Sequence, residues 1–74
     1  MNAEYEKSVG SKIRHYREKR KITQEQLSAR MQTLGCDVTR SALAKIEVGQ
    51  RHIYVDELRI LKELLKISYE DILE

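Results

Sequence analysis

The sequence predicts an all-α fold, a single small domain of five helices. Three observations carry this. Proline is absent and glycine occurs only three times in 74 residues, so little interrupts a helix. Apolar residues recur at three- and four-residue spacing along the chain. Between these stretches stand Thr or Ser residues followed three positions later by Gln or Asp, the pattern of a helix start. A chain of this length buries only roughly 60% of its unfolded surface, so one thin core is expected.

The first helix is expected from about Asn2 to Arg20. Asn2 is placed to cap it, and Glu4 and Glu6 suit its positive N-terminal end. Val9, Ile13 and Tyr16 make one apolar face. Its far end is dense in base (Arg17, Lys19, Arg20, Lys21), which the helix dipole favours. The second helix opens on Thr23-Gln24-Glu25-Gln26, a capping box, with Ile22 placed as a staple against Leu27. Leu27, Met31 and Leu34 carry its apolar stripe, and Gly35 ends it. Cys36-Asp37-Val38 then forms a short turn, with Val38 as a core plug.

The third helix runs from Thr39, its N-cap, to about Val48, and Gly49 ends it. Ala42, Leu43 and Ile46 face inward. Arg40, Ser41, Ala44 and Lys45 are left facing outward, a small, polar and basic surface, with Glu47 on its border. The fourth helix is expected over roughly Tyr54 to Lys66, with Asp56 and Glu57 in its first turn. Leu58, Leu61 and Leu65 form its stripe. Ile60 and Leu64 widen that stripe to an arc of roughly 160°, more than the roughly 100° a core face needs. The fifth helix starts at Ser68, with Asp71 three residues on. Tyr69, Ile72 and Leu73 supply its apolar side.

Charge is unevenly spread. Residues 1–51 hold eleven Lys and Arg against six Asp and Glu, while residues 52–74 hold three against six. A basic front suits a polyanion. The lone Cys36 rules out a disulfide framework and fits a reducing cytosol, so a cytoplasmic protein is expected. No signal peptide is expected, and no apolar run approaches the roughly 20 residues a membrane helix needs. His15 and His52 form no metal-ligand spacing with Cys36. No nucleophile stands with a base, and there is no glycine-rich phosphate loop. No enzyme activity, metal, cofactor or small-molecule ligand is expected.

The separated motifs Thr23-Gln24-Glu25-Gln26-Leu27, Arg40-Ser41-Ala42-Leu43-Ala44-Lys45-Ile46-Glu47-x-Gly49 and Leu65-Lys66-Ile67-Ser68-Tyr69-Glu70-Asp71-Ile72-Leu73 resemble the phage Cro/cI-repressor-like family, the XRE type of helix-turn-helix. The resemblance covers about residues 9 to 73. It implies a compact five-helix, lambda-repressor-like DNA-binding domain over residues 1–74. The helix-turn-helix would lie at about 23–48, with the helices of 54–73 serving core and dimerisation. Arg40, Ser41, Ala44 and Lys45 match the base-contacting positions. Gln24 matches a phosphate clamp, Arg51 a second backbone contact, and Thr39 and Lys21 are expected beside the same phosphates. Arg17 and Glu47 match an internal salt bridge. The implied function is a sequence-specific transcriptional regulator, a repressor acting on double-stranded DNA as a homodimer, with Ile60, Leu64, Tyr69 and Leu73 at the dimer interface.

Other readings stay open on residues alone. Lys45 also reads as a solvated lysine, and Lys19, Arg20 and Lys21 as a solvated helix end. The runner-up function is a protein-interaction module, antitoxin-like or adaptor, working through the apolar C-terminal face. Three departures from the family pattern carry expectations. The second helix and its turn are about five residues longer than a tight helix-turn-helix needs. Lys66 replaces a common glycine, so the fourth helix is expected to end on a different cap. Tyr54 replaces a Ser-like cap, so that helix is expected to start without side-chain capping.

Overall fold

The computed structural model describes residues 3–73. It contains α1 (Ala3–Lys19), α2 (Gln24–Thr33), α3 (Arg40–Glu47), α4 (Val55–Leu65) and α5 (Tyr69–Leu73), with no strand among the described residues. The expected cap Asn2 lies outside them. Helix α1 packs against α3, α4 and α5, while α2 packs against α3 and α4. Ile13, Leu27, Met31, Val38, Leu43, Ile46, Leu61, Leu65 and Ile72 are wholly buried where these faces meet. Among the described residues no helix is long and apolar enough to cross a membrane.

Local chemistry sets the helix starts. The Gln26 N–H donates to Thr23 Oγ1 and the Thr23 N–H to Gln26 Oε1, both at 3.0 Å, closing the capping box. The Ala42 N–H donates to Thr39 Oγ1 at 3.1 Å. Ser68 and Asp71 exchange the same pair of bonds at 2.9 and 3.1 Å, which starts α5. Tyr54 offers α4 no side-chain cap; instead Glu57 Oε1 accepts the Tyr54 N–H at 3.0 Å.

The helix ends share one geometry. After α2 the Gly35 and Cys36 N–H groups donate to Gln32 O and Met31 O; after α3 the Gly49 and Gln50 N–H groups donate to Ile46 O and Lys45 O. Both pairs are the Schellman pattern, whose pivotal residue is left-handed. Helices α1 and α4 end identically, with Lys21 (φ 58°) and Lys66 (φ 55°) in the glycine place. The expectation of a different cap after α4 is therefore corrected: the cap is the same and the lysine takes the strain. A left-handed L-residue costs roughly 1–2 kcal/mol, partly offset here by a cation's attraction to the helix C-terminus. Arg20 reinforces the junction, donating from Nε to Leu65 O at 2.9 Å and from Nη2 to Lys66 O at 3.2 Å.

Two apolar expectations also change. Leu34 is 53% exposed, because it is the C-cap of α2, where the backbone has left the helix and no longer extends the stripe. Ile60 is only 9% exposed, packed into the core rather than left for a partner. The wide apolar arc of α4 is absorbed inward because several helices close over it. Leu64 is half-buried against the core, while Tyr69 and Leu73 stay exposed. The extra length between Thr23 and Thr39 is taken up by a ten-residue α2 and the short segment around Cys36.

Candidate nucleic-acid interface

Helix α3 sits on α1 and α2 by its Leu43–Ile46–Glu47 side, and this determines what faces out. Arg40, Ser41 and Lys45 are exposed, and Ala44 is half-buried between them. Positions 40 and 44, and 41 and 45, are each one helical turn apart, so the four make one patch. None of the three polar side chains has a hydrogen bond or ion pair with another described residue. An outward cationic face on a short helix, with a small residue at its centre, can enter a groove and donate to acceptors on its floor.

Behind this face lies a buried polar network. Arg17 Nε donates to Glu47 Oε2 at 2.7 Å and Arg17 Nη2 to Glu47 Oε1 at 3.0 Å. Arg17 Nη1 donates to Ile22 O at 2.9 Å. Gln24 Nε2 donates to the same Glu47 Oε1 at 3.0 Å. The bidentate bond to Glu47 raises the Arg17 pKa further above its ordinary value. The expected Arg17–Glu47 pair is thus present. Glu47 belongs to the interior (4% exposed) and not to the border of the patch. It joins α1, the start of α2 and the end of α3 in one contact.

Gln24 is therefore held internally through one hydrogen of its amide, leaving the second hydrogen and the carbonyl oxygen. It lines an open cleft of about 350 Å³ with Arg17, Thr23, Glu25 and Arg40, between the starts of α2 and α3. Thr39 accepts the Ala42 N–H, so its own hydroxyl hydrogen remains to be donated. Lys21 is exposed two residues before Thr23, which lines this cleft.

Arg51, expected as a second backbone contact, is engaged within the chain. Nη1 and Nη2 grip Glu57 at 2.8 and 2.9 Å, and Nη1 also donates to His52 O at 2.8 Å. Its guanidinium lies 5.7 Å from the Tyr54 ring centroid. That hydrogen-bonded pairing raises the Arg51 pKa and lowers that of Glu57. Arg51 thus organises the α3–α4 loop, its charge already met by Glu57.

Among the features that escaped sequence reasoning are the Gln24–Glu47 bond, the Arg51–Glu57 clasp, a pairing of buried Glu6 with His52 Nδ1, and Gly10. Gly10 carried a signal, since an isolated glycine inside a helical pattern asks for a packing reason. A Cβ there would lie 2.1 Å from Ile46 O. The others join residues with no periodic relation. Cys36 is buried, and desolvation pushes its thiol pKa up, away from reactivity.

A family model described as helix-turn-helix matches residues 13–72. Among solved structures, the crystal structure of the DNA-binding domain of BldD is similar, with a TM-score of 0.82 over 100% of both chains. Its sequence identity is 20%, so the likeness is one of fold. No curated protein matches the chain.

Proposed function

The chain belongs to the helix-turn-helix family of the XRE type, and from that premise we propose that it is a sequence-specific regulator of transcription that reads the DNA major groove with α3. The observation that carries this reading is the unpartnered Arg40–Ser41–Ala44–Lys45 face, held outward by the buried Arg17–Glu47 pair. Arg40 and Lys45 donate to guanine O6 and N7, Ser41 makes a further polar base contact, and Ala44 meets a thymine methyl. Gln24 grips a phosphate with its second amide hydrogen, and Thr39 and Lys21 contact the same backbone. Arg51 supports the loop beside them.

In this proposal the protein is a repressor and binds as a homodimer, with half-sites roughly 34–36 Å apart. Leu64, Tyr69 and Leu73 form the dimer face, without Ile60, which the core has claimed. Sedimentation at micromolar concentration, with and without bound duplex, is expected to show a dimer at least on DNA. Monomer under both conditions would remove the dimer from the reading.

The interface itself is tested by titrating duplex DNA at several salt concentrations. Affinity should fall steeply with salt as counterions are released. Arg40→Ala and Lys45→Ala should each lose about 1–3 kcal/mol on the preferred sequence and relax one base position. Gln24→Ala should weaken all duplexes alike. Salt-independent binding, or alanine variants that bind any duplex as the parent does, would favour a protein-interaction module using the C-terminal face instead.

A further inference from the structure

Resting on the DNA-binding reading above, we propose that Lys66 joins Lys21 in a second phosphate contact, outside the recognition helix and indifferent to base sequence. Four helices of this chain end in the same geometry, and each needs a left-handed residue at one place. After α2 that place holds Gly35, where an added Cβ would meet nothing within 4 Å. Glycine is thus used there for its backbone alone. After α1 and α4 the place holds lysine, at φ 58° and 55°. Strained residues that persist where a freer one would fit mark positions whose side chain has another use.

The two lysines stand at helix ends that adjoin. Arg20, the residue before Lys21, donates to both Leu65 O and Lys66 O, tying the end of α1 to the end of α4. Lys21 and Lys66 are both exposed, and neither ammonium has an ion-pair partner among the described residues. Glu18 precedes Lys21 by one turn and pairs with Arg14, Glu63 precedes Lys66 by one turn, and Asp71 is engaged by Ser68. Lys21 stands two residues before Thr23, the cap of α2. Lys21 is thus three residues from Gln24 along the chain, and a phosphodiester beside the one Gln24 holds is the anion the pair suits. A helix C-terminus also attracts a lysine through its dipole, and that purely structural alternative makes the opposite prediction for stability.

The test is the double variant Lys21→Gly, Lys66→Gly, with Lys21→Arg, Lys66→Arg as the charge-preserving control. The glycine variant should melt several degrees higher than the parent. Its affinity for duplex DNA should fall about tenfold at physiological salt, by the same factor on preferred and scrambled sequences, and its salt slope should shrink by about 1.8. The arginine variant should bind as the parent does. Unchanged affinity and slope in the glycine variant would overturn the proposal while leaving α3 as the reader. So would a loss confined to the preferred sequence, or a lower melting temperature, which would assign the lysines to capping. A parent protein that binds no duplex at all would sink the DNA reading itself, and this inference with it.

Discussion

Replacing Glu47 by alanine is expected to cost about 3–5 kcal/mol. The substitution strips the Arg17 guanidinium of both carboxylate oxygens while leaving it buried, with only Ile22 O as acceptor. It also frees the Gln24 amide. A domain of this size has roughly 4–11 kcal/mol of stability in total, so the substitution should remove a large share of it. Urea denaturation measures this directly. Removing both charges, as in Arg17→Met with Glu47→Leu, should recover most of the loss, because the penalty belongs to the orphaned cation rather than to the missing attraction. A Glu47→Ala variant within about 1 kcal/mol of the parent, the value of an exposed pair, would show that the contact is solvated and does not hold α3 in place.

The second large effect comes from the smallest change. Glycine in a helix interior is ordinarily improved by alanine, by about 1 kcal/mol. Gly10→Ala is expected to do the reverse, destabilising by about 3 kcal/mol, the upper end of ordinary overpacking. The new methyl would stand 2.1 Å from Ile46 O and 3.0 Å from the Glu47 carbonyl carbon. Those atoms are backbone, so no side chain can swing aside, and α1 and α3 must separate. That separation would also stretch the Arg17–Glu47 bonds, so DNA binding should weaken with stability. Thermal melting of the single variant decides the sign. A Gly10→Ala protein that melts higher than the parent would mean that the two helices do not approach this closely.

These two cases show which parts of the molecule were legible in the sequence. The caps at Thr23, Thr39 and Ser68 were readable because capping is local: donor and acceptor lie three residues apart, and the residue types reveal them. The outward face of α3 was readable because helical spacing alone separates Arg40, Ser41, Ala44 and Lys45 from Leu43 and Ile46. Glu47 needed the family resemblance to find its partner thirty residues earlier, and even so its burial was not foreseen. Ile60 and Leu34 were misplaced for one reason. A stripe drawn on an isolated helix does not say how far neighbours wrap around it or where the backbone leaves it. Glu57 read as a first-turn acid and Arg51 as a contact to the phosphate backbone; only the fold of the loop between them makes them a pair. The left-handed lysines were hidden because a glycine is the expected mark of that geometry, and two of the four ends lack it.

The claim on which the rest depends is that the exposed side of α3 reads base edges. Selection of bound duplexes from a random pool, run in parallel with the parent protein and with Lys45→Ala, tests it most directly. The account predicts that the parent enriches a two-fold symmetric site with half-sites about one helical turn apart, and that the variant enriches the same site with one position per half-site gone blank. No enriched sequence from the parent, or an undiminished site from the variant, would contradict it.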